Sequence, residues 1–358
     1  MDMSSSLALF DVKPADLGDA TLCAAIDAFV MADVASTPFH LTAWSRAVER
    51  GCGQKAHYLV ARDGAGEIAG VLPLTIVKSK LFGNALASVG FAVDGGVLAT
   101  SATAGTSLIS AAEKVAKQLG INTLELRGGH LPDADYAIDE TTYVGFSRAL
   151  AHDDGAELLA IPRKQRAEVR KALSFDLEVT IGTSAQDRRN HYHVYSTSVR
   201  NLGTPVFPRA LFDAVLDEFG DDADILTVAK DGLPLASVLS LYHKGSVMPY
   251  WGGGVADART WRVNDMMYYA LMLHARAAKG CNRFDFGRSK VGTGPAAFKR
   301  NWGFDAQPLS YAKKAMDGSA ARDINPTSAK YTLMVDLWKR LPLPVANIIG
   351  PYLARGLG

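Results

Sequence analysis

An internal repeat constrains this chain more than any other feature. His57 to Leu74 reads HYLVARDGAGEIAGVLPL and Asp224 to Leu241 reads DILTVAKDGLPLASVLSL, each an apolar run, an Asp-Gly pair and a second apolar run. That pattern predicts a β-hairpin, because Asp-Gly tolerates the positive φ angles of a tight turn. Asp63-Gly64 and Asp231-Gly232 lie 168 residues apart, and Ala69 and Ala236 lie 167 apart, so one residue is lost between the copies. The following segments match as well. Thr106 to Leu119 and Asn264 to Lys279 have helical periodicity, stop at Gly120 and Gly280, and lead into the short strands Thr123 to Leu126 and Arg283 to Phe286. Thr106 and Asn264 stand where a polar residue would cap a helix start, and the glycines where they would cap its end. Hairpin, further strand, helix and strand, met twice in one order, predict a duplicated α/β domain with mixed sheets, divided near residue 150 into 1–150 and 151–358. A chain of 358 residues is also longer than one hydrophobic core usually serves.

A net charge of +1 excludes a general polyanion binder, so any basic function must come from local clusters. Cys23, Cys52 and Cys281 are widely spaced with no C-x-x-C pair, which reads as reduced thiols. The start, MDMSSSLALFDVKPADLGDA, has no basic region before its short apolar run, and no stretch approaches the roughly 18 to 20 apolar residues of a spanning helix. A cytoplasmic location is therefore expected. The C-terminal WKRLPLPVANIIGPYLARGLG sets a basic pair before an apolar, proline-broken segment, which either packs as a tail on the second domain or makes peripheral contact with a membrane. No HExxH, GxSxG, P-loop or Cys/His metal spacing is present, so no metal is expected.

Two clusters carry chemistry. Phe284 to Phe304, FDFGRSKVGTGPAAFKRNWGF, joins a strand end, a Gly-rich loop and a helix start. Phe284 and Phe286 flank Asp285, so in a strand the rings face one side and the carboxylate the other. Gly287 is expected to end that strand, and Pro295 suits the first turn of a helix carrying Phe298, Lys299 and Trp302. Asp285 either orients an attacking amine and accepts its proton, or pairs with Arg288 for structure. The second cluster is the helix opened by Pro162, where Arg163, Arg166 and Arg170 stand at i, i+3 and i+7 on one face. Three guanidiniums there form an anion clamp or a solvated face. Tyr250 and Trp251, before Gly252, Gly253 and Gly254, make either an aromatic wall beside a flat backbone or part of the core.

The tandem repeat, the RKQRAEVRKA helix, the YWGGG run and above all FGRS and FKRNWGF resemble the FemAB-type transferases, built from two acetyltransferase-like (GNAT) domains. With the LWKRLPLP tail, the arrangement is most similar to FemAB-like proteins associated with PEP-CTERM sorting and exopolysaccharide loci. The resemblance spans nearly the whole chain, from Pro38 to the tail. It implies transfer of an acyl or aminoacyl group onto an amine or hydroxyl of a nucleotide-linked or lipid-linked cell-envelope glycan precursor. The donor would be a co-substrate, charged tRNA or acyl-CoA, rather than a bound cofactor. It places Lys299 near the transferred carbonyl or acceptor, Arg166 and Arg170 near acceptor phosphates, and Arg288, Ser289 and Trp302 among the substrate-binding residues. The departure lies at the central helices: SATAGTS has one glycine and DARTWRVND none, so the usual pyrophosphate cradle of acetyl-CoA enzymes is missing. An acyl-CoA N-acyltransferase acting on a small amine, and a non-catalytic scaffold of polysaccharide assembly, are the alternatives.

Overall fold

The computed structural model describes residues 10–79, 82–132, 135–318 and 329–358. The chain forms two compact units, Met1–Asp139 with Ser310–Ile324 and Arg355–Gly358, and Glu140–Leu309 with Asn325–Ala354. In chain order the first unit holds β1 (Asp11–Pro14), α1 (Ala20–Ala32), α2 (Thr42–Cys52), β2 (Lys55–Arg62), β3 (Ile68–Val77), β4 (Ala85–Ser88), β5 (Leu98–Ala99), α3 (Ala102–Gln118), β6 (Thr123–Arg127) and β7 (Ala137–Asp139). The second holds β8 (Tyr143–Ala149), α4 (Asp154–Ala160), α5 (Arg163–Leu173), β9 (Glu178–Gly182), α6 (Ala185–Leu202), α7 (Arg209–Phe219), β10 (Ala223–Lys230), β11 (Leu233–His243), β12 (Ser246–Gly254), α8 (Val263–Lys279), β13 (Arg283–Lys290), α9 (Gly294–Asn301) and β14 (Ala306–Pro308). The chain then gives β15 (Tyr311–Ala315) to the first unit, and α10 (Ala329–Arg340) and α11 (Leu343–Ala354) to the second.

The duplication shows in the strand orders, β1-β2-β3-β4-β6-β15-β7 with β5 on β3, and β14-β8-β13-β12-β11-β10-β9. Each unit runs strand, two helices, three antiparallel strands, a helix and a parallel strand, with β4 beside β6 and β12 beside β13 as the parallel pairs. The hairpins fall where the Asp-Gly pairs predict. Asp231 (φ 51) and Gly232 (φ 75) are both left-handed, as a two-residue hairpin turn requires. Asp63 instead organises a longer turn, its carboxylate accepting from the backbone N–H of Ala65 and Glu67.

Both central helices bury one face. Leu108, Ile109, Ala112 and Ala116 of α3 share a core with Leu59, Leu72 and Leu124, and Met267, Leu271, Met272 and Ala275 of α8 share one with Val228, Val247 and Phe284. Each large side chain so buried contributes about 1.5–3 kcal/mol. Both helices start earlier than expected. Ser101 caps α3, its hydroxyl accepting from Ala104 N–H at 3.2 Å, so Thr106 lies inside the helix. α8 begins from Arg262, a non-glycine residue in left-handed backbone, and Asn264 is already helical. The units also exchange strands across the expected division. Tyr143–Ala149, which a boundary near 150 leaves with the first half, pairs with β13 and β14 and buries Phe146 in the second core. Tyr311–Ala315, expected in the second half, lies between β6 and β7.

Candidate active site

In the second unit β12 and β13 pair in parallel only at Ser246 with Arg283 and Val247 with Phe284. β12 continues to Gly254 against β11, and β13 to Lys290 against β8, so beyond those two pairs the central strands part. A bulge on each strand accounts for the divergence, since an extra residue bends its strand. Tyr250 is the extra residue of β12, between Pro249 paired to Ser240 and Trp251 paired to Leu239. Phe286 is the extra residue of β13, and Gly287 beside it takes φ 68, which a side chain would resist. Gly287 therefore kinks the strand instead of ending it.

α9 begins after Thr293 with Pro295 in its first turn, as expected, and carries Lys299 back onto β13. The Lys299 ammonium donates to Gly287 O at 3.1 Å and Arg288 O at 2.9 Å, and lies 5.5 Å and 5.6 Å from the ring centres of Phe146 and Phe286. Burial pulls its pKa down to about 8, while the Asp285 carboxylate pushes it back up and Arg288 adds to the lowering. Asp285 accepts from Gly287 N–H at 2.8 Å. Burial raises its pKa, against lowering by that hydrogen bond and by the charges of Arg283 and Lys299. Each group feels the other's opposite charge, and burial draws each toward its neutral state.

Ser289 is buried, and its hydroxyl has no partner among the described residues. Arg288 stacks its guanidinium 4.5 Å from the Tyr143 ring centre. Of the expected aromatic binding residues, two belong to the core. Trp302 is fully buried among Tyr268, Phe286 and Phe298. Trp251 packs at 4.8 Å on Phe212, while Tyr250 is half-buried against it. The glycine run serves close packing: a Cβ at Gly252 would meet Val238, at Gly253 Ser198 of α6, and at Gly254 Asn264 of α8. On α5, Gln165, Val169 and Ala172 face inward, leaving Arg163 and Arg170 exposed and Arg166 half-buried with a bond to Leu159 O at 3.3 Å.

A cleft of about 320 Å³ lies at the start of α8, lined by Gln165, Glu168, Arg259, Arg262, Asp265 and Phe298, among others. Arg262 is tied to Glu168 and to Arg259 O. Burial lifts Asp265 to about 6, Gln165 opposing as a hydrogen-bond donor. Arg259 and Arg262 were not legible as site residues, because DARTWRVND has no glycine signature and only the fold brings it beside α5 and α9. In the first unit the matching gap is closed. Past Ser88, where β6 loses β4, the segment from Val89 to Val97 takes over: Gly95 N–H donates to Arg127 O, Arg127 donates to Val89 O and Ala92 O, and Val97 bridges Gly129.

Residues 162–300 match the sequence profile of the acetyltransferase (GNAT) domain. The chain has the tandem GNAT fold of FemAB-like proteins. Among solved structures, FemX superposes with a TM-score of 0.64 at 15% identity, covering 84% of this chain and 96% of FemX. A tandem GNAT protein from the clavulanic acid biosynthesis pathway gives 0.56 at 13%, covering 87% and 100%. L-PGS from Bacillus licheniformis gives 0.52 at 13%, covering 88% and 96%. No curated protein matches. The matched domain makes this tandem GNAT protein an enzyme of the acyltransferase type. Among the described residues there is no cluster of three or more metal-ligating side chains.

Proposed function

We propose that the chain moves an acyl or aminoacyl group from an activated ester or thioester onto an amine or hydroxyl of a cell-envelope glycan precursor, with the gap between β12 and β13 as the donor's seat. The observation that carries this reading is the parting of the parallel pair beside a tethered, partly desolvated cation. An acceptor nitrogen or oxygen attacks the donor carbonyl and the new bond forms. Negative charge gathers on the carbonyl oxygen until the bond to the thiolate or ribose oxygen breaks. Lys299 has three N–H donors and spends two on carbonyls, which leaves one for that oxygen. Asp285, the carboxylate whose charge acts on Lys299, orients the acceptor and takes its proton.

A phosphate-bearing donor fits the start of α8. The N–H groups of Val263 and Asn264 precede the first hydrogen bonds of α8, which Asp265 and Met266 donate to Arg262 O, and Arg259 and Arg262 line the cleft beside them. Arg163, Arg166 and Arg170, and Arg288 on β13, are the cations assigned to acceptor phosphates. The FemAB-type resemblance of the sequence supports a peptidoglycan-type acceptor, and its closer resemblance an exopolysaccharide one. The test is a transfer assay on the full chain with radiolabelled acetyl-CoA or aminoacyl-tRNA against nucleotide-linked and lipid-linked muropeptides, with products read by mass. Labelled glycan is the expected product. Acylation of small amines only, with coenzyme A raising the melting temperature, would favour the acyl-CoA N-acyltransferase. No transfer and no donor binding would leave the scaffold.

A further inference from the structure

α11 is amphipathic in the reverse of the usual sense. Its buried positions are small, Ala346, Gly350 and Ala354 at a spacing of four, and Gly350 comes so close to Val206 that a Cβ would lie 3.1 Å from its backbone nitrogen. Its large apolar side chains face outward: Val345, Ile348, Ile349 and Tyr352 are exposed, Ile348 to 68% and Tyr352 to 67%. Leu337 of α10 is exposed as well. Surface helices of soluble proteins bury such residues and expose charged ones. Here no residue from Leu341 to Ala354 is charged.

The charges stand at the margins. In sequence Lys339 and Arg340 precede α11 and Arg355 follows it, against the single anion Asp336, which pairs with Lys339 at 3.7 Å, in a chain whose net charge is +1. An uncharged apolar helix face bordered by cations matches a helix lying in the plane of an anionic bilayer, its side chains among the acyl chains and its cations at the phosphates. A second copy of the chain would cover the apolar face but would bring the two Lys339-Arg340 pairs toward one another. We propose that α11 docks the protein on a membrane surface rich in anionic phospholipid, whichever acceptor the site takes. The helix has 12 residues, about 18 Å in length, so it lies on the bilayer without spanning it.

Flotation of the full chain with vesicles tests this. The protein should float with phosphatidylcholine vesicles containing phosphatidylglycerol and stay behind with phosphatidylcholine alone. Ile348→Ser with Ile349→Ser should weaken binding by roughly tenfold or more while leaving the melting temperature unchanged, because both side chains are already exposed. Lys339→Gln with Arg340→Gln should reduce the preference for phosphatidylglycerol. Tyr352→Trp supplies a direct reading, a blue shift of tryptophan emission on adding anionic vesicles. No flotation, flotation indifferent to the isoleucines, or no blue shift would overturn the proposal. So would a concentration-dependent dimer that the isoleucine variant abolishes, since a second copy would then cover the face.

Discussion

The charge state of Lys299 decides what it can do. With its pKa drawn to about 8, the ammonium is charged below that pH and neutral above it. A residue acting through its charge gives turnover that falls as pH rises through about 8; a residue acting as a base gives the opposite slope. We expect the falling limb in a pH–rate profile at saturating substrates, and its loss in Lys299→Arg, whose guanidinium stays charged. The Gly-rich loop and the Pro295-opened helix that carry Lys299 were legible in the sequence. The lysine's tether to Gly287 O and Arg288 O was not, because a carbonyl exposed by a bulge leaves no mark in the sequence. Trp302 illustrates the converse: in sequence it stands beside the lysine like a binding residue, and folding turns it into the core.

Elements explain why two similar sheets differ in what they can hold. In the first unit the backbone itself fills the space that opens between β12 and β13 in the second. A Cβ at Gly96 would sit 1.9 Å from Gly128 O, and one at Gly129 would sit 2.4 Å from Val97 O. Gly96→Ala should therefore cost roughly 2–4 kcal/mol in chemical denaturation, as overpacking against rigid backbone does. A loss below about 0.5 kcal/mol would mean that the gap is not closed by this contact. Hairpins and helices were readable because hydrophobic period and Asp-Gly turns act locally. The plugged gap was not, since it depends on two glycine pairs, Gly95-Gly96 and Gly128-Gly129, meeting across 32 or more residues of chain.

At the scale of the molecule, the repeat predicted the duplication but not the exchange of strands. β15 supplies Tyr311 and Ala312 to the first unit's interior and links β7 to its sheet, so residues 1–139 lack part of their own fold. That fragment alone should show no cooperative thermal transition, whereas the full chain should; a sharp transition in the fragment would show that β15 is dispensable. With one gap closed and one open, the proposed transfer chemistry belongs to the second unit and to Lys299. The most direct measurement is turnover of Lys299→Met at saturating donor and acceptor, with the melting temperature recorded alongside. A fall of about 100- to 1,000-fold in a folded protein is the predicted result. Full turnover of the folded variant at saturation would contradict it.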